Sequence, residues 1–206
     1  MDAKDRSIKY LKAEGFEVVV ERGIAAYSEP HRVYHDLRHI NTMLWYIEEM
    51  VEFFSLSEHD WLNLQLGAWF HDMVYDPMSK TNELDSAKLV LKMLPGYPSG
   101  HMVVNLVMTT KTHANPTSFL AACLIDADLA GLGTNKDTYY ENCIRVQQEY
   151  DVHPLLWAAG RKKFLEDYKE RPTLFHTAWG ATRRLQAKLN MDREYGAILD
   201  YVDDPL

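Results

Sequence analysis

The sequence predicts an all-α fold made of a single domain over residues 1–206. Apolar side chains recur with the spacing of an amphipathic helix along most of the chain. The ten glycines and eight prolines fall mostly between these periodic stretches, where they end helices or form turns. A composition of 47% hydrophobic and 25% charged residues is typical of globular chains and excludes intrinsic disorder.

The N-terminal half of the chain contains one ambiguous segment and two clear helices. Residues 17–20 include three consecutive valines, which favour a strand locally, but we predict a helix because the chain offers this segment no strand partner. A helix over residues 39–54 is predicted by its apolar face of Ile40, Met43, Leu44, Ile47, Val51 and Phe54. The next helix begins with the capping residue Ser57 and continues through His71-Asp72.

Turns and caps delimit the remaining helices. Proline-containing turns follow the helices predicted over about residues 82–94 and 100–113. A helix from about residue 118 is apolar almost all round and is therefore predicted to be central; Gly131 and Gly133 follow it. A capping pattern starts a helix over residues 134–150. The C-terminal packing helices, within about residues 154–203, are predicted over residues 155–168, 173–189 and 193–202.

Charge and cysteine content exclude several classes of protein. The net charge of −8 disfavours binding to nucleic-acid polymers, which usually requires a basic surface. Cys123 and Cys143 form no C-x-x-C pair, so we expect two small buried side chains and no cysteine-rich zinc module. The N-terminus leads into no apolar signal segment, and no apolar run is long enough to span a bilayer. We therefore expect a soluble cytoplasmic protein without a membrane partner.

Four ionisable side chains occupy apolar surroundings on three predicted helices. His71 and Asp72 end an apolar helix, Asp128 lies on the most hydrophobic helix, and His39 shares the buried face of its own helix. A carboxylate in such surroundings is costly unless it is paired or bound to a metal. Two imidazoles and two carboxylates suit a divalent ion such as Mn, Fe, Co, Ni or Zn. A buried ion-pair network without a metal is the alternative.

These four residues resemble the H…HD…D signature of the HD superfamily of metal-dependent phosphohydrolases. The stretches YHDLRHI (34–40), FHDMVYD (70–76), NELDSA (82–87) and DADLAGLG (126–133) are similar to one bacterial subfamily of predicted HD phosphohydrolases. The resemblance spans about residues 30–150 and implies a helical bundle whose central helices hold the metal. It implies ligation by His39, His71, Asp72 and Asp128.

Two neighbouring residues compete for the ligand positions. His35 lies four residues before His39, and Asp126 two residues before Asp128. The HD pattern favours His39, which precedes an apolar pair, and Asp128, which lies in an Ala-Asp-x-Leu-like context. Asp126 would then support the site or cap a helix.

The resemblance also implies a reaction. A divalent ion (Mn, Fe, Co, Ni, Zn or Mg) would activate water for hydrolysis of a phosphate monoester or diester, such as a nucleotide or another small phosphorylated metabolite. Asp72 would orient that water. His113 would act as a general acid or bind a second ion, with capping of its helix as the alternative. Glu83 would act as a general base or hold a water, with stabilisation of its helix N-terminus as the alternative.

Cationic side chains near the motifs are candidates for binding the substrate phosphate. Arg32 and Lys111 are the leading candidates, followed by Arg38 and Lys80, with a solvated surface charge as the alternative for each. The run 161–163 is expected to form a solvated face. Trp69 and Tyr75 are expected in the core.

Two other functions and the oligomeric state stay open at the sequence level. The same scaffold would also suit a non-catalytic regulatory module that binds a metal or a nucleotide. A di-iron oxygenase would require a further histidine ligand, for which His113 is the better placed of the two histidines between the motifs. A homo-oligomer is compatible with the sequence. The remaining histidines receive no role: His31, His59, His101, His153 and His176.

Overall fold

The structure of the protein, a computed structural model, describes residues 1–203; residues 204–206 of the predicted domain lie outside the described part. Residues 1–203 contain no β-strand, which confirms the predicted all-α class. The α-helices are α1 (Ala3–Ala13), α2 (Glu17–Ala26), α3 (Leu37–Phe54), α4 (Glu58–Phe70), α5 (Asn82–Met93), α6 (Gly100–Thr110), α7 (Phe119–Leu129), α8 (Lys136–Glu149), α9 (Pro154–Lys169), α10 (Ala178–Ala181) and α11 (Arg184–Asp203), with a 3₁₀ helix (Ala130–Gly133) between α7 and α8.

Local capping interactions explain where the central helices begin. Asp36 accepts hydrogen bonds from the backbone N–H groups of Arg38 and His39, so α3 starts two residues earlier than predicted. Ser57 and Asp60 form a reciprocal capping box at the start of α4. Ser118 caps α7 by accepting from the N–H of Ala121. Each cap satisfies backbone donors that the first helical turn leaves unpaired.

Helix α7 is the centre of the bundle, as its apolar sequence predicts. Every residue from 120 to 127 on this helix is buried, and α7 packs against α3, α4 and α6. Gly67 allows α4 to approach closely, because a Cβ at this position would lie 3.1 Å from Leu106 and 3.3 Å from Leu124. The main core fills the space among α1 to α7, and a second apolar cluster lies among α7, α8, α9 and α11.

The valine-rich segment and the C-terminus test the less certain helix predictions. Residues 17–20 belong to α2, with Val19 and Val20 buried, so the helix was the correct choice. The predicted division of 173–189 from 193–202 was wrong: α11 runs without interruption from Arg184 to Asp203, and only the short α10 precedes it. Asn190, at the expected break, is buried and donates to the carbonyls of Leu132 and Thr134, so its amide does not cap a helix.

The cysteines and the helix lengths agree with the sequence. Cys123 is buried and Cys143 is partly buried, and both are free thiols. Burial raises the pKa of the Cys123 thiol to about 12, which keeps it protonated and unreactive. None of the helices within residues 1–203 is both long enough and apolar enough to cross a lipid bilayer.

Arg161 does not belong to a solvated face, contrary to the prediction for residues 161–163. Its guanidinium is largely buried and forms an ion pair with Glu194 at 2.8 Å, and the Tyr139 hydroxyl donates to the same carboxylate. This network ties α9 and α8 to α11. Lys163, by contrast, is exposed as expected.

The buried pair makes Glu194 a sensitive position. We expect Glu194→Gln to lower the free energy of unfolding by about 3 kcal/mol, because it leaves the Arg161 charge buried without a counterion. Glu166→Gln is the matched control, since its pair with Lys162 is exposed and should contribute less than about 1 kcal/mol. Urea unfolding of both variants measures the difference, and equal losses would contradict the assignment.

Candidate metal centre

Three helices bring the four predicted ligands together. His39 lies in the first turn of α3, His71 and Asp72 follow the last residue of α4, and Asp128 is the penultimate residue of α7. Nε2 of His39 lies 3.3 Å from Nε2 of His71 and 3.3 Å from Oδ1 of Asp128. Nε2 of His71 lies 3.0 Å from Oδ2 of Asp72 and 3.9 Å from Oδ1 of Asp128. We refer to these four side chains as the donor cluster.

The donor atoms of His39, His71 and Asp72 lie close enough together to hold a metal ion. Each residue offers one ligand atom, and these atoms all lie within 4.8 Å of one another. Both histidines are buried, and the side chains of Asp72 and Asp128 are only 14% and 15% exposed. The two histidines are therefore shielded from bulk water, whereas the two carboxylates keep a small exposed surface.

The backbone sets the tautomer of His71. Nδ1 of His71 lies 2.8 Å from the carbonyl oxygen of Ala68, and a carbonyl only accepts hydrogen bonds, so Nδ1 carries a proton. In neutral His71 the lone pair is then on Nε2, which faces the other donors. A backbone carbonyl bonded to the distal nitrogen is the usual way in which a metal-binding histidine is oriented.

Without an ion, protons must compensate the carboxylates of the cluster. Burial lowers the pKa of His71, but the nearby Asp72 and Asp128 outweigh this effect and raise it to about 9. Burial raises the pKa of Asp128, yet hydrogen bonds from His113 and His39 hold it well below its ordinary value. Both carboxylates are thus anions that require a positive partner.

A divalent ion fits this donor set. Two imidazole nitrogens and two carboxylate oxygens converge from three rigid helices, and mixed nitrogen and oxygen donors suit borderline divalent ions. An ion bound there would replace the protons shared between the histidines and the carboxylates. His39, His71 and Asp72 could hold it, and Oδ1 of Asp128 lies 3.3 Å from Nε2 of His39.

Glu149 holds the loop in front of the cluster. Its Oε1 atom accepts the backbone N–H groups of Val33, Tyr34 and His35 at 2.7 to 2.8 Å. Its Oε2 atom lies 2.6 Å from Nδ1 of His35 and also accepts from the hydroxyl of Tyr75, which is only partly buried. Burial opposes ionisation of Glu149, but the hydrogen bonds around His35 outweigh it and lower its pKa to about 2.

The competing residues His35 and Asp126 occupy supporting positions. Nε2 of His35 lies 3.9 Å from Oδ2 of Asp72, at the edge of the donor cluster, while Nδ1 is bonded to Glu149. Asp126 is fully buried and accepts the backbone N–H groups of His176 and Thr177 and the Thr177 hydroxyl. Asp126 thereby anchors the segment before α10.

His113 contacts the donor cluster through Asp128. Its Nε2 atom lies 2.8 Å from Oδ2 of Asp128, and its Nδ1 atom lies 3.1 Å from the hydroxyl of Tyr168. Its backbone has a positive φ of 50°, and its carbonyl accepts hydrogen bonds from Arg171 and His176. The side chain is therefore directed towards Asp128 and away from the end of α6.

Arg32, predicted to bind the substrate phosphate, instead occupies a buried structural position. Its side chain is fully buried: Nε is paired with Glu29 at 2.9 Å, and the Nη atoms donate to the carbonyls of His35, Asp72 and Met73. The guanidinium thus ties the loop after α4 to the loop before α3. Sequence proximity to the motifs was correct, but it could not distinguish a buried brace from a phosphate contact.

Arg32 should therefore affect stability strongly. We expect Arg32→Met to lower the free energy of unfolding by about 3 kcal/mol, because it leaves buried carbonyls without donors. The matched control is Arg38→Met, since the Arg38 side chain is 64% exposed and should contribute less than about 1 kcal/mol. Denaturant unfolding tests this, and two equally stable variants would contradict the role of a brace.

Two cavities meet at Asp128. The larger, of about 680 Å³, also reaches His35, His113 and Lys80. The smaller, of about 190 Å³, reaches His39, Arg38 and Arg145. Lys80 and Arg38, the secondary phosphate candidates, therefore line cavities that reach the donor cluster.

Lys111 and Glu83 lie apart from the donor cluster, and Trp69 lies in the core. Lys111 is exposed and lines neither of these two cavities. Glu83 lies in the first turn of α5. It takes no part in the hydrogen bonds and ion pairs described above for the donor cluster. Trp69 is fully buried in the core, as predicted, and its indole donates to Ser7.

Comparisons of the chain with protein-family models, with curated proteins and with solved structures found no match. The chemistry of the donor cluster and its surroundings is therefore the starting point for the function.

Proposed function

We propose that the protein is a divalent-metal-dependent phosphohydrolase of the HD type that acts on a small phosphate ester. The observation that carries the proposal is the convergence of His39, His71, Asp72 and Asp128, which match the H…HD…D order in sequence and meet at 3.0 to 3.9 Å in space. A shielded site with two imidazoles and two anionic carboxylates suits metal-assisted hydrolysis.

The reaction is the addition of water to a phosphate ester. Water adds to phosphorus, the bond from phosphorus to the ester oxygen breaks, and that oxygen takes a proton and leaves as an alcohol. When bound, a divalent ion supplies an acidified water and polarises a phosphoryl oxygen. Asp72 belongs to the donor cluster, with Oδ2 3.0 Å from Nε2 of His71, and its carboxylate can orient the attacking water.

His113 is the proposed proton donor to the leaving oxygen. A carboxylate only accepts hydrogen bonds, so the Nε2 atom that faces Asp128 carries a proton. The Tyr168 hydroxyl holds the opposite ring nitrogen and fixes the orientation of the imidazole. His113 also lines the larger cavity, from which a substrate reaches the donor cluster.

Lys80 and Arg38 are the proposed partners of the substrate phosphate. Both side chains are exposed and line a cavity that reaches Asp128. Local cations of this kind are necessary because the whole chain carries a net charge of −8.

Metal analysis followed by an activity panel tests the proposal. The purified protein is stripped with a chelator and assayed on phosphomonoesters and phosphodiesters with added Mn²⁺, Co²⁺, Ni²⁺, Zn²⁺, Fe²⁺ or Mg²⁺. We expect metal to stimulate hydrolysis by at least about 100-fold, because a bound ion stabilises the developing charge of the transition state by several kcal/mol. Asp72→Asn should remove this stimulation, whereas His59→Ala, an exposed change at the other end of α4, should retain it.

The alternatives give different results in the same experiment. Absence of bound metal and of metal-stimulated hydrolysis across the panel would refute the proposal. Tight nucleotide binding by calorimetry without product would indicate a regulatory module. Two irons per chain with oxygen consumption would indicate an oxygenase.

A further inference from the structure

The larger cavity extends well beyond the donor cluster. Its volume of about 680 Å³ lies in the range of pockets that enclose whole small-molecule ligands. His35, His113 and Asp128 line the part that touches the donor cluster. The rest of the wall comes mainly from the 3₁₀ helix, α8, α9 and the segment 77–80 before α5. It is largely apolar and aromatic, with Leu132, Val146, Leu156, Trp157 and Phe164.

The cavity offers little positive charge away from the cluster. Among the described residues that line it, the lysine and arginine side chains are Lys80 and Arg161. Arg161 is already bonded to both carboxylate oxygens of Glu194, so Lys80 is the cation available to a ligand. A chain of several phosphates usually requires a set of arginines and lysines, which this wall does not provide.

We infer that the substrate carries a single phosphate group and a bulky, mostly apolar organic part, with the organic part in the larger cavity and the phosphate at the donor cluster. This inference rests on the proposed function. The apolar wall stabilises the organic part by removing it from water, while Asp128 and His113 mark the end at which the ester bond is cleaved. Sugar phosphates and glycerol phosphates fit this cavity poorly because their organic parts are polar. Nucleoside triphosphates fit poorly because their phosphate chains carry more negative charge than Lys80 alone can pair with.

Two esters of the same leaving-group chemistry test the inference. Ethyl phosphate and 2-(1-naphthyl)ethyl phosphate both release a primary alcohol and differ only in the apolar part. We expect kcat/KM of the metal-loaded protein to be about 100-fold higher for the naphthyl ester, since even one methylene in an apolar pocket changes it by roughly tenfold. Thymidine monophosphate and ATP, included in the same series, should be poorer substrates than the naphthyl ester.

Two glycines provide a matched pair of variants. Gly160 lies on α9 and lines the cavity, and Gly196 lies on α11 outside it; an added Cβ meets nothing within 4 Å at either position. Gly160→Leu should therefore fill the cavity without disturbing the helix and should reduce the naphthyl-to-ethyl ratio by about tenfold. Gly196→Leu should leave this ratio unchanged.

Binding of non-hydrolysable phosphonates separates the substrate class from the reaction. We expect 3-(1-naphthyl)propylphosphonate to bind more tightly than propylphosphonate in calorimetry, and Gly160→Leu to reduce the difference. Hydrolysis of both esters with equal kcat/KM, or a preference for thymidine monophosphate or ATP, would overturn the substrate class but retain the proposed function. Selective binding of the naphthyl phosphonate without any hydrolysis would overturn the function and support the ligand class. Absence of both would overturn both.

Discussion

Replacing His71 with alanine is expected to abolish stoichiometric metal binding. His71 is buried, its Nδ1 proton is held by the Ala68 carbonyl, and its Nε2 atom faces His39, Asp72 and Asp128. Changes in groups that only orient a ligand typically weaken metal affinity by about 10 to 100-fold, so loss of the ligand itself should exceed about 100-fold. Titration of the chelator-stripped protein with Zn²⁺ or Mn²⁺ by calorimetry measures the effect.

Three further histidine variants sharpen this prediction. His39→Ala should weaken metal binding as much as His71→Ala, because its Nε2 atom lies 3.3 Å from both His71 and Asp128. His35→Ala should retain the metal, since His35 lies at the edge of the donor cluster. His59→Ala, on the exposed first turn of α4, is the control for general damage to the helix. Metal loss in His35→Ala together with retention in His39→Ala would show that the two histidines had been assigned the wrong way round.

Replacing Glu149 with glutamine is expected to cause the second large effect. The carboxylate accepts three consecutive backbone N–H groups and contacts the rings of His35 and Tyr75. An amide cannot accept at both ends, so we expect the free energy of unfolding to fall by about 3 kcal/mol. Because the loop that it holds leads directly into His39, the metal affinity should also fall by about 10 to 100-fold.

The effect of Glu149 should depend on pH in a defined direction. Its pKa is lowered from 4.5 to about 2 in the folded protein. A lowered carboxyl pKa contributes stability above the ordinary value, and this contribution is lost as the pH falls towards the folded value. The stability difference between wild type and Glu149→Gln should therefore narrow below about pH 4.5 and be constant between about pH 5 and 6, below the range in which His35, whose pKa Glu149 raises, loses its proton. Urea unfolding across this range measures it, with the exposed Glu141→Gln on the same helix as the control. A difference that widens at low pH would contradict the assignment.

The helices and the donor cluster were predictable because their signals are local. Apolar spacing and capping residues such as Ser57 and Ser118 are read within a few positions of the chain, and they position α4 and α7. His71-Asp72 and Asp128 were recognisable because ionisable groups are unusual in such apolar helices. The proximity of these residues in space then follows from the packing of α3, α4 and α7 around one core.

The supporting residues were not predictable because their partners are distant in sequence. Glu149 lies 114 residues from His35, and nothing in its own helix distinguishes it from other glutamates. In the sequence, Arg161 cannot be distinguished from the neighbouring lysines, because its partner Glu194 lies 33 residues further along the chain. Asn190 lies in the gap predicted between two helices, but α11 continues through it and its side chain donates to the distant carbonyls of Leu132 and Thr134. The single-domain organisation and the oligomeric state stay predictions.

The most direct test of the proposed metal centre is a crystal structure of the metal-loaded protein with anomalous scattering at the metal edge. We expect one strong peak bounded by Nε2 of His39, Nε2 of His71 and the carboxylates of Asp72 and Asp128. The distances from the peak to these atoms should be about 2.0 to 2.2 Å, as for nitrogen and oxygen ligands of a divalent ion such as zinc. Crystals of fully loaded protein with no peak among these four side chains, or with the peak on another set of residues, would contradict the assignment of the donor cluster as a metal site.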